Sequence, residues 1–156
     1  MNGDSMFKKI LVCLDGSSLA EEVLPYAADM ALHLCCKLVL LQVIDVSSTV
    51  YTPGQIAGRP HWLERIQKEE TESGVYLERV ALPLRERGLE VEIVTLQGAA
   101  GESIVSYAKE NEVDLIAITT HARRNLGRLV FGSTADLILR ESGLPTFSIK
   151  PKHTQT

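Results

Sequence analysis

Residues 120–136, THARRNLGRLVFGSTAD, carry groups suited to binding an anion just where a helix is predicted to begin. The Gly-Ser-Thr run at 132–134 would open that helix, so its backbone N–H groups lack intrahelical partners and lie at the positive end of the helix dipole. Such a helix start is a ready site for a phosphate. Arg123 and Arg124 lie in the same connection and would add charge-assisted contacts. The stretch therefore indicates a phosphate-binding loop.

Each of these residues also has an ordinary structural explanation. Ser133 followed by Asp136 has the spacing of a capping box, which satisfies helix N–H groups without any ligand. His121 in a polar loop is more often a surface residue than a catalyst, and arginines commonly form a solvated face. The sequence contains neither GxxxxGK[ST] nor GxGxxG. A P-loop NTPase and a dinucleotide oxidoreductase are therefore both disfavoured.

Length and composition predict one compact domain over residues 1–156, with a frayed tail at 151–156. The net charge of -4 argues against a general nucleic-acid binder. No apolar stretch approaches the ~20 residues of a membrane helix, and the start lacks the order of a secretory signal. The three cysteines form no CxxC pair, which fits reduced thiols in a cytoplasm and argues against a metal site.

Short apolar runs alternate with amphipathic stretches along the chain, which predicts strands alternating with helices. The order β-α-β-α-β-α-β-α-β predicts an α/β three-layer fold with parallel strands and right-handed crossovers. Residues 45–60 are polar, rich in Gly and Pro, and long enough for a mobile functional flap. The predicted strands are 9–14, 37–44, 91–96, 114–119 and 145–150, and the predicted helices are 19–35, 62–87, 102–111 and 134–142.

Several residues predict where the helices begin and end. Ser18 with Glu21 has the capping-box spacing at the start of the first helix. Pro25 lies inside the same helix, where a proline removes a hydrogen bond, so we expect a late start or a bend there. Gly88 is the expected C-cap of the second helix.

A ligand site is expected at the carboxyl ends of the strands, where the strand order of an open α/β sheet reverses. Four connections leave those ends, at 15–18, 45–48, 97–102 and 120–125. The Asp-Gly pair that opens the first of them is also ordinary turn chemistry. Strand order cannot be read from periodicity, so the residues alone leave open which connections meet.

Several segments together resemble the universal stress protein family, over roughly residues 7–150. The start KKILVCLDGSSLAEEVLPYAADMA is similar to the family's first strand, acidic turn and first helix, and LVLLQVID to its second strand. ENEVDLIAITTHAR followed by GRLVFGSTADLILRESGLPTFSIK is similar to its closing half. The resemblance implies a doubly wound, Rossmann-like five-stranded parallel sheet of order 3-2-1-4-5. Asp15 would then face the loop 119–122 across the crevice between the first and fourth strands.

The family's phosphate motif is only half present. Binding members have glycine, two residues, glycine, nine residues, glycine, then Ser or Thr, and the positions here are Thr119, Ala122, Gly132 and Ser133. Thr119 is tolerable if its hydroxyl donates to the ligand. Ala122 is the more serious departure, because a Cβ at a left-handed position costs on the order of 1–2 kcal/mol. If the position needs only close approach, a small shift accommodates the methyl group.

The resemblance implies which residues would hold an adenine nucleotide, ATP above all, with any Mg²⁺ arriving on the nucleotide. Asp15 and the backbone of Leu14 and Val43 would hold the adenine. The ribose and phosphates would be held by Thr119, Thr120, His121, Ala122, Arg123, Gly132, Ser133 and Thr134. No convincing general base is found beside the predicted phosphate site, so no catalytic residue is assigned. His121 is a candidate general base by its residue type alone.

Three functions are compatible with these features. The first is a cytoplasmic stress-response domain that binds ATP or another adenine nucleotide with little or no turnover. The second is a homodimeric interaction module of the same family that binds no nucleotide, because the motif departs at Thr119 and Ala122. The third, an enzyme that hydrolyses ATP or transfers its adenylyl group, is disfavoured by the lack of a catalytic constellation. The edge strand 145–150 and the resemblance together predict a homodimer, with no nucleic-acid or membrane partner.

Overall fold

A computed structural model describes residues 5–46, 61–120 and 132–152 of the chain. Strands and helices alternate there in the predicted order, except that the first predicted helix is split in two. The strands are β1 (Lys9–Leu14), β2 (Lys37–Asp45), β3 (Val91–Gly98), β4 (Leu115–Thr119) and β5 (Thr146–Ile149). The helices are α1 (Ser18–Glu21), α2 (Leu24–Leu34), α3 (His61–Glu86), α4 (Ala100–Glu110) and α5 (Ser133–Glu141).

The five strands form one parallel sheet in the order β3-β2-β1-β4-β5. This confirms the order that the family resemblance implied. The chain builds outward from β1 through β2 to β3, then returns to place β4 on the other side of β1. The order therefore reverses between β1 and β4, and that reversal opens a crevice at their carboxyl ends.

Helices cover both faces of the sheet, because alternate side chains of each strand need apolar cover on opposite sides. On one face, Ile10 and Val12 of β1 pack with buried residues of α1, α2 and α3. On the other face, Leu11 and Cys13 pack with α4 and α5. The near-continuous apolar runs of the sequence thus correspond to strands that are buried on both sides. In the described part of the chain, no helix is long and apolar enough to cross a membrane.

Proline and glycine decide where two of the helices begin and end. Pro25 lies in the first turn of α2, where its missing N–H would have had no intrahelical partner. The predicted late start or bend at Pro25 is therefore confirmed. Gly88 has a φ of +89°, and the N–H groups of Gly88 and Leu89 donate to the carbonyls of Arg85 and Leu84. This is a Schellman motif, and it confirms the predicted C-cap.

The capping prediction at the start of α1 is wrong by one residue. Ser17, not Ser18, is the N-cap, and its hydroxyl oxygen accepts from the backbone N–H of Ala20 at 3.1 Å. Glu21 does not close a capping box in this arrangement; it pairs with Arg79 of α3 at 3.0 Å. The sequence offers two adjacent serines as caps. Ser17 is bonded to Asp15 in the preceding turn, and it is Ser17 that takes the N-cap position.

Candidate functional site

The crevice between β1 and β4 brings together two of the four predicted connections. Val12 lies opposite Ala117 in the parallel pairing of β1 and β4. Two residues further along each strand, Leu14 and Thr119 end β1 and β4 at the same level of the sheet. The turn that begins at Asp15 and the connection that begins at Thr120 therefore leave the sheet side by side.

The turn after β1 presents an exposed carboxylate in a defined orientation. Gly16 has a φ of +83°, a conformation that a Cβ disfavours, so the chain changes direction directly after Asp15. The backbone N–H and the hydroxyl of Ser17 both donate to Oδ1 of Asp15, at 2.9 and 2.6 Å. The side chain of Asp15 thus lies at the mouth of the crevice with one oxygen held by its own turn.

Leu14 and Val43 lie near the carboxyl ends of two neighbouring strands, β1 and β2. Leu14 is paired with Gln42, so Val43 is one residue closer to the end of β2. The side chain of Leu14 packs in the core beside α1 and α2, whereas Val43 packs on the opposite face of the sheet. Both side chains are therefore used in packing, which is consistent with the expectation that only their backbone groups would face a ligand.

The two threonines at the end of β4 are bonded within the fold. The buried hydroxyl of Thr119 donates to the carbonyl of Ala20 in α1, at 3.2 Å. The N–H and the hydroxyl of Thr120 both donate to the carbonyl of Ile149 in β5, at 2.8 and 3.1 Å. A hydroxyl has one hydrogen, so the condition for tolerating Thr119, donation to a ligand, is not met in this arrangement. Both threonines instead fix the end of β4 to its neighbours.

The N-cap residue of α5 supplies no side-chain cap. Gly132 is that residue, with φ -56° and ψ 154°. The predicted capping box of Ser133 with Asp136 is therefore wrong: Ser133 is already inside the helix, and Asp136 pairs with Arg140 at 3.0 Å. Ser133 is exposed and Thr134 half-buried. Because Gly132 has no side chain to cap the N–H groups of the first turn, an anion would be a suitable partner for them.

Three of the predicted ribose and phosphate residues lie outside the described ranges. They are His121, Ala122 and Arg123. Their place beside Thr120 and Gly132 in the chain is fixed by the sequence, and their contact with a ligand stays a prediction.

Sequence reasoning missed a polar network next to this site. The hydroxyl of Ser73 in α3 is hydrogen-bonded to the side chains of both Gln42 of β2 and Thr95 of β3. The only signal for it in the sequence was a glutamine inside the apolar run KLVLLQVI. Periodicity marks such a position as an irregularity and does not identify its partners.

Two buried ionisable groups lie near the acidic turn, and neither is suited to act as a general base. Burial raises the pKa of the Cys13 thiol to about 12. Burial also raises the pKa of the Tyr76 hydroxyl, and the carboxylates of Glu21 and Asp15 raise it further. Both groups therefore stay protonated at neutral pH.

Comparisons with known proteins agree with this architecture. The model of the Universal stress protein family matches residues 6–150. Universal stress protein MJ0531 of Methanocaldococcus jannaschii is 28% identical over 149 residues, which are 96% of this chain and 85% of that relative. The structure of MJ0577 from the same organism has a TM-score of 0.78 at 26% identity, over 96% of this chain and 99% of that one. An AMP-bound universal stress protein family member from Arabidopsis thaliana has a TM-score of 0.66 at 16% identity, over 93% and 92%.

Proposed function

The chain belongs to the universal stress protein family, and from this premise we propose that it binds an adenine nucleotide, ATP above all, with little or no turnover. Its role would be that of a cytoplasmic stress-response protein that senses the nucleotide. One observation carries the proposal: the exposed Asp15 turn and the end of β4 meet at the reversal of strand order, where α/β sheets bind ligands.

In the proposed complex, the adenine lies at the ends of β1 and β2. Asp15 would accept hydrogen bonds from the base, and the backbone of Leu14 and Val43 would complete its binding site. These groups fit an adenine because the carboxylate is exposed and oriented by Ser17, while the strand ends supply backbone donors and acceptors.

The phosphates would lie at the start of α5. The N-cap Gly132 offers no side-chain cap to the N–H groups of the first turn, and the exposed hydroxyl of Ser133 adds a further donor. The proposal extends this site to the connection from Thr119 to Arg123, which would border the ribose and the first phosphate. A divalent cation such as Mg²⁺ would neutralise part of the phosphate charge and enter with the nucleotide.

A related structure supports the ligand class. The Arabidopsis family member holds AMP in a fold that matches this chain over nearly its whole length. Its low sequence identity transfers only the fold, and the ligand residues named above come from the family resemblance.

One observation favours a second function, a homodimeric interaction module that binds no nucleotide. The hydroxyl of Thr119 donates to Ala20, so the first position of the phosphate motif lacks both the glycine and a hydroxyl hydrogen for the ligand. In this alternative the crevice would be closed by contacts within the fold, and the protein would act through its edge strand.

Calorimetric titration with ATP, ADP, AMP and cyclic AMP, with and without magnesium, separates the two functions. Binding of ATP at micromolar affinity, about -8 kcal/mol, is expected. The absorbance ratio of the protein as purified would show carried-over nucleotide. If none of the four ligands gives a heat signal and millimolar ATP gives no thermal shift, the nucleotide proposal is wrong and the ligand-free module replaces it.

A further inference from the structure

A relay of three polar side chains crosses the sheet beside the acidic turn. Gln42 and Thr95 are paired across β2 and β3, and Ser73 reaches both from α3. Its Oγ lies 2.8 Å from Oε1 of Gln42 and 2.9 Å from Oγ1 of Thr95. Ser73 is only 3% exposed, so these two contacts satisfy its hydroxyl in place of water.

The relay runs in one direction. A serine hydroxyl has a single hydrogen, and Ser73 donates it to Oε1 of Gln42. Thr95 must therefore donate to Ser73. Ser73 is thus both donor and acceptor in the relay, and the acceptor of its hydrogen is Oε1 of Gln42. The amide is thus held with Nε2 turned away from Ser73.

The oriented amide lies against the turn that carries Asp15. Gln42 is paired with Leu14, the last residue of β1. A Cβ placed on Gly16 would stand 3.5 Å from Nε2 of Gln42, and no other atom of the described chain beyond its sequence neighbours would come within 4 Å of it. Among the described residues, Gln42 is therefore the side chain that faces Gly16 on this side of the turn.

We propose that Gln42, oriented by Ser73 and Thr95, is a positioning residue that holds the Asp15 turn in the shape an adenine nucleotide requires. The inference rests on the proposed function for the identity of the ligand. The bonds of Ser17 hold the turn from within. Gly16 has no side chain, so the contact on the Gln42 side comes from Gln42 itself. An apolar side chain at position 42 would fill the core equally well, whereas a bonded amide fixes one orientation.

The first arm of the test is spectroscopic and needs no nucleotide. The ¹H–¹⁵N resonance of the Ser17 amide reports its bond to the Asp15 carboxylate. We expect this resonance to shift in Ser73→Ala, which frees the amide, and in Gln42→Leu, which removes it. The matched control is Thr71→Ala, because Thr71 also lies on α3 but its hydroxyl bonds only to Gln67 within the helix. An unmoved Ser17 resonance in both relay variants would overturn the proposal.

The second arm measures ATP affinity by calorimetry. Both relay variants are expected to bind ATP about five-fold more weakly than the wild-type chain, whereas Thr71→Ala binds it unchanged. Weaker binding with an unmoved Ser17 resonance would mean that Gln42 contacts the ligand directly, which contradicts a positioning role. If the wild-type chain binds no ATP, the proposed function fails on its own account, and the Ser17 resonance still decides whether the relay holds the turn. Should Gln42→Leu not fold, Thr95→Val interrupts the same relay from its far end.

Discussion

At the scale of single residues, the carboxylate of Asp15 is the group whose role is most directly testable. Removing it in Asp15→Ala should abolish the thermal shift produced by ATP without unfolding the protein, because the side chain is exposed and its two bonds to Ser17 lie within its own turn. Differential scanning fluorimetry measures both properties. Asp29→Ala is the matched control, since it removes another surface carboxylate, one that pairs with Arg87. An ATP shift that persists in Asp15→Ala would remove Asp15 from the site.

A second residue-scale prediction concerns the Cβ of Ala122, which departs from the family's phosphate motif. If that Cβ obstructs the phosphates, Ala122→Gly should tighten ATP binding by about 1 kcal/mol, several-fold in affinity. Titration calorimetry on the two proteins gives the difference. An unchanged or weaker affinity would show that the native loop already fits the ligand or that no phosphate binds there.

The two threonines at the end of β4 predict unequal effects on stability. Thr119→Val removes the hydroxyl that donates to Ala20 and should lower the free energy of unfolding by about 1–2 kcal/mol. Thr120→Val should cost less, because the carbonyl of Ile149 keeps the backbone N–H of residue 120 as a donor. Urea denaturation of both variants measures the difference. Equal losses would contradict the assignment of the Thr119 hydroxyl to α1.

At the scale of elements, two glycines test the effects of backbone strain and of helix propensity separately. Gly74 lies inside α3, and Gly88 follows its end. A Cβ on Gly74 or on Gly88 would meet no other part of the described chain within 4 Å beyond its local neighbours, but only Gly88 has a positive φ. Gly74→Ala should therefore stabilise the protein by roughly 0.5–1 kcal/mol through helix propensity. Gly88→Ala should destabilise it by about 1–2 kcal/mol through the left-handed conformation. Chemical denaturation of both variants checks the opposite signs, and stabilisation by Gly88→Ala would contradict the Schellman ending.

The strands and helices could be predicted because each carries a strong local signal. Pro25 predicted the break between α1 and α2, and Gly88 predicted the end of α3, since both residues restrict the backbone by themselves. The two capping predictions failed for a local reason as well. At 17 and 18 two serines compete, and at the start of α5 Gly132 takes the N-cap position ahead of Ser133.

The candidate site was harder to predict because it depends on contacts between distant parts of the chain. Strand order placed Asp15 beside the end of β4, and the order came from the family resemblance rather than from periodicity. The bond from Thr119 to Ala20 spans 99 residues, and the bond from Ser73 to Gln42 joins a helix to a strand. A local sequence pattern cannot pair residues so far apart. The hydrogen bond from Thr119 to Ala20 could therefore be identified only from the structure.

At the scale of the whole molecule, β5 is one edge of the sheet, and the prediction is a homodimer in solution through residues 145–150. The carbonyls of Pro145 and Ile149 accept from the N–H groups of Ile116 in β4 and of Thr120 directly after it. Because backbone groups alternate sides along a strand, the N–H groups of Thr146 and Ser148 point toward the open edge. Ser148→Pro should therefore remove a donor from the dimer without touching the β4 ladder.

Light scattering at micromolar concentration tests this assembly. The control is Phe147→Pro, which falls on the side that pairs with β4 and should destabilise the subunit itself. A wild-type chain that is monomeric would refute the dimer. A dimer that survives Ser148→Pro would place the interface elsewhere on the surface.

The chain end near Lys152 offers a practical choice of where to attach a reporter. The backbone N–H of Lys152 donates to the carboxylate of Glu22 at 2.8 Å, directly after α1, so this end of the chain lies near the mouth of the crevice. Residues 5–8 precede β1 and lie at the opposite end of the sheet, because all five strands run in the same direction and β1 alone spans about 20 Å. A fluorophore attached after Lys152 would sense events at the crevice, whereas an immobilisation tag attached before Lys9 would leave the crevice facing the solution.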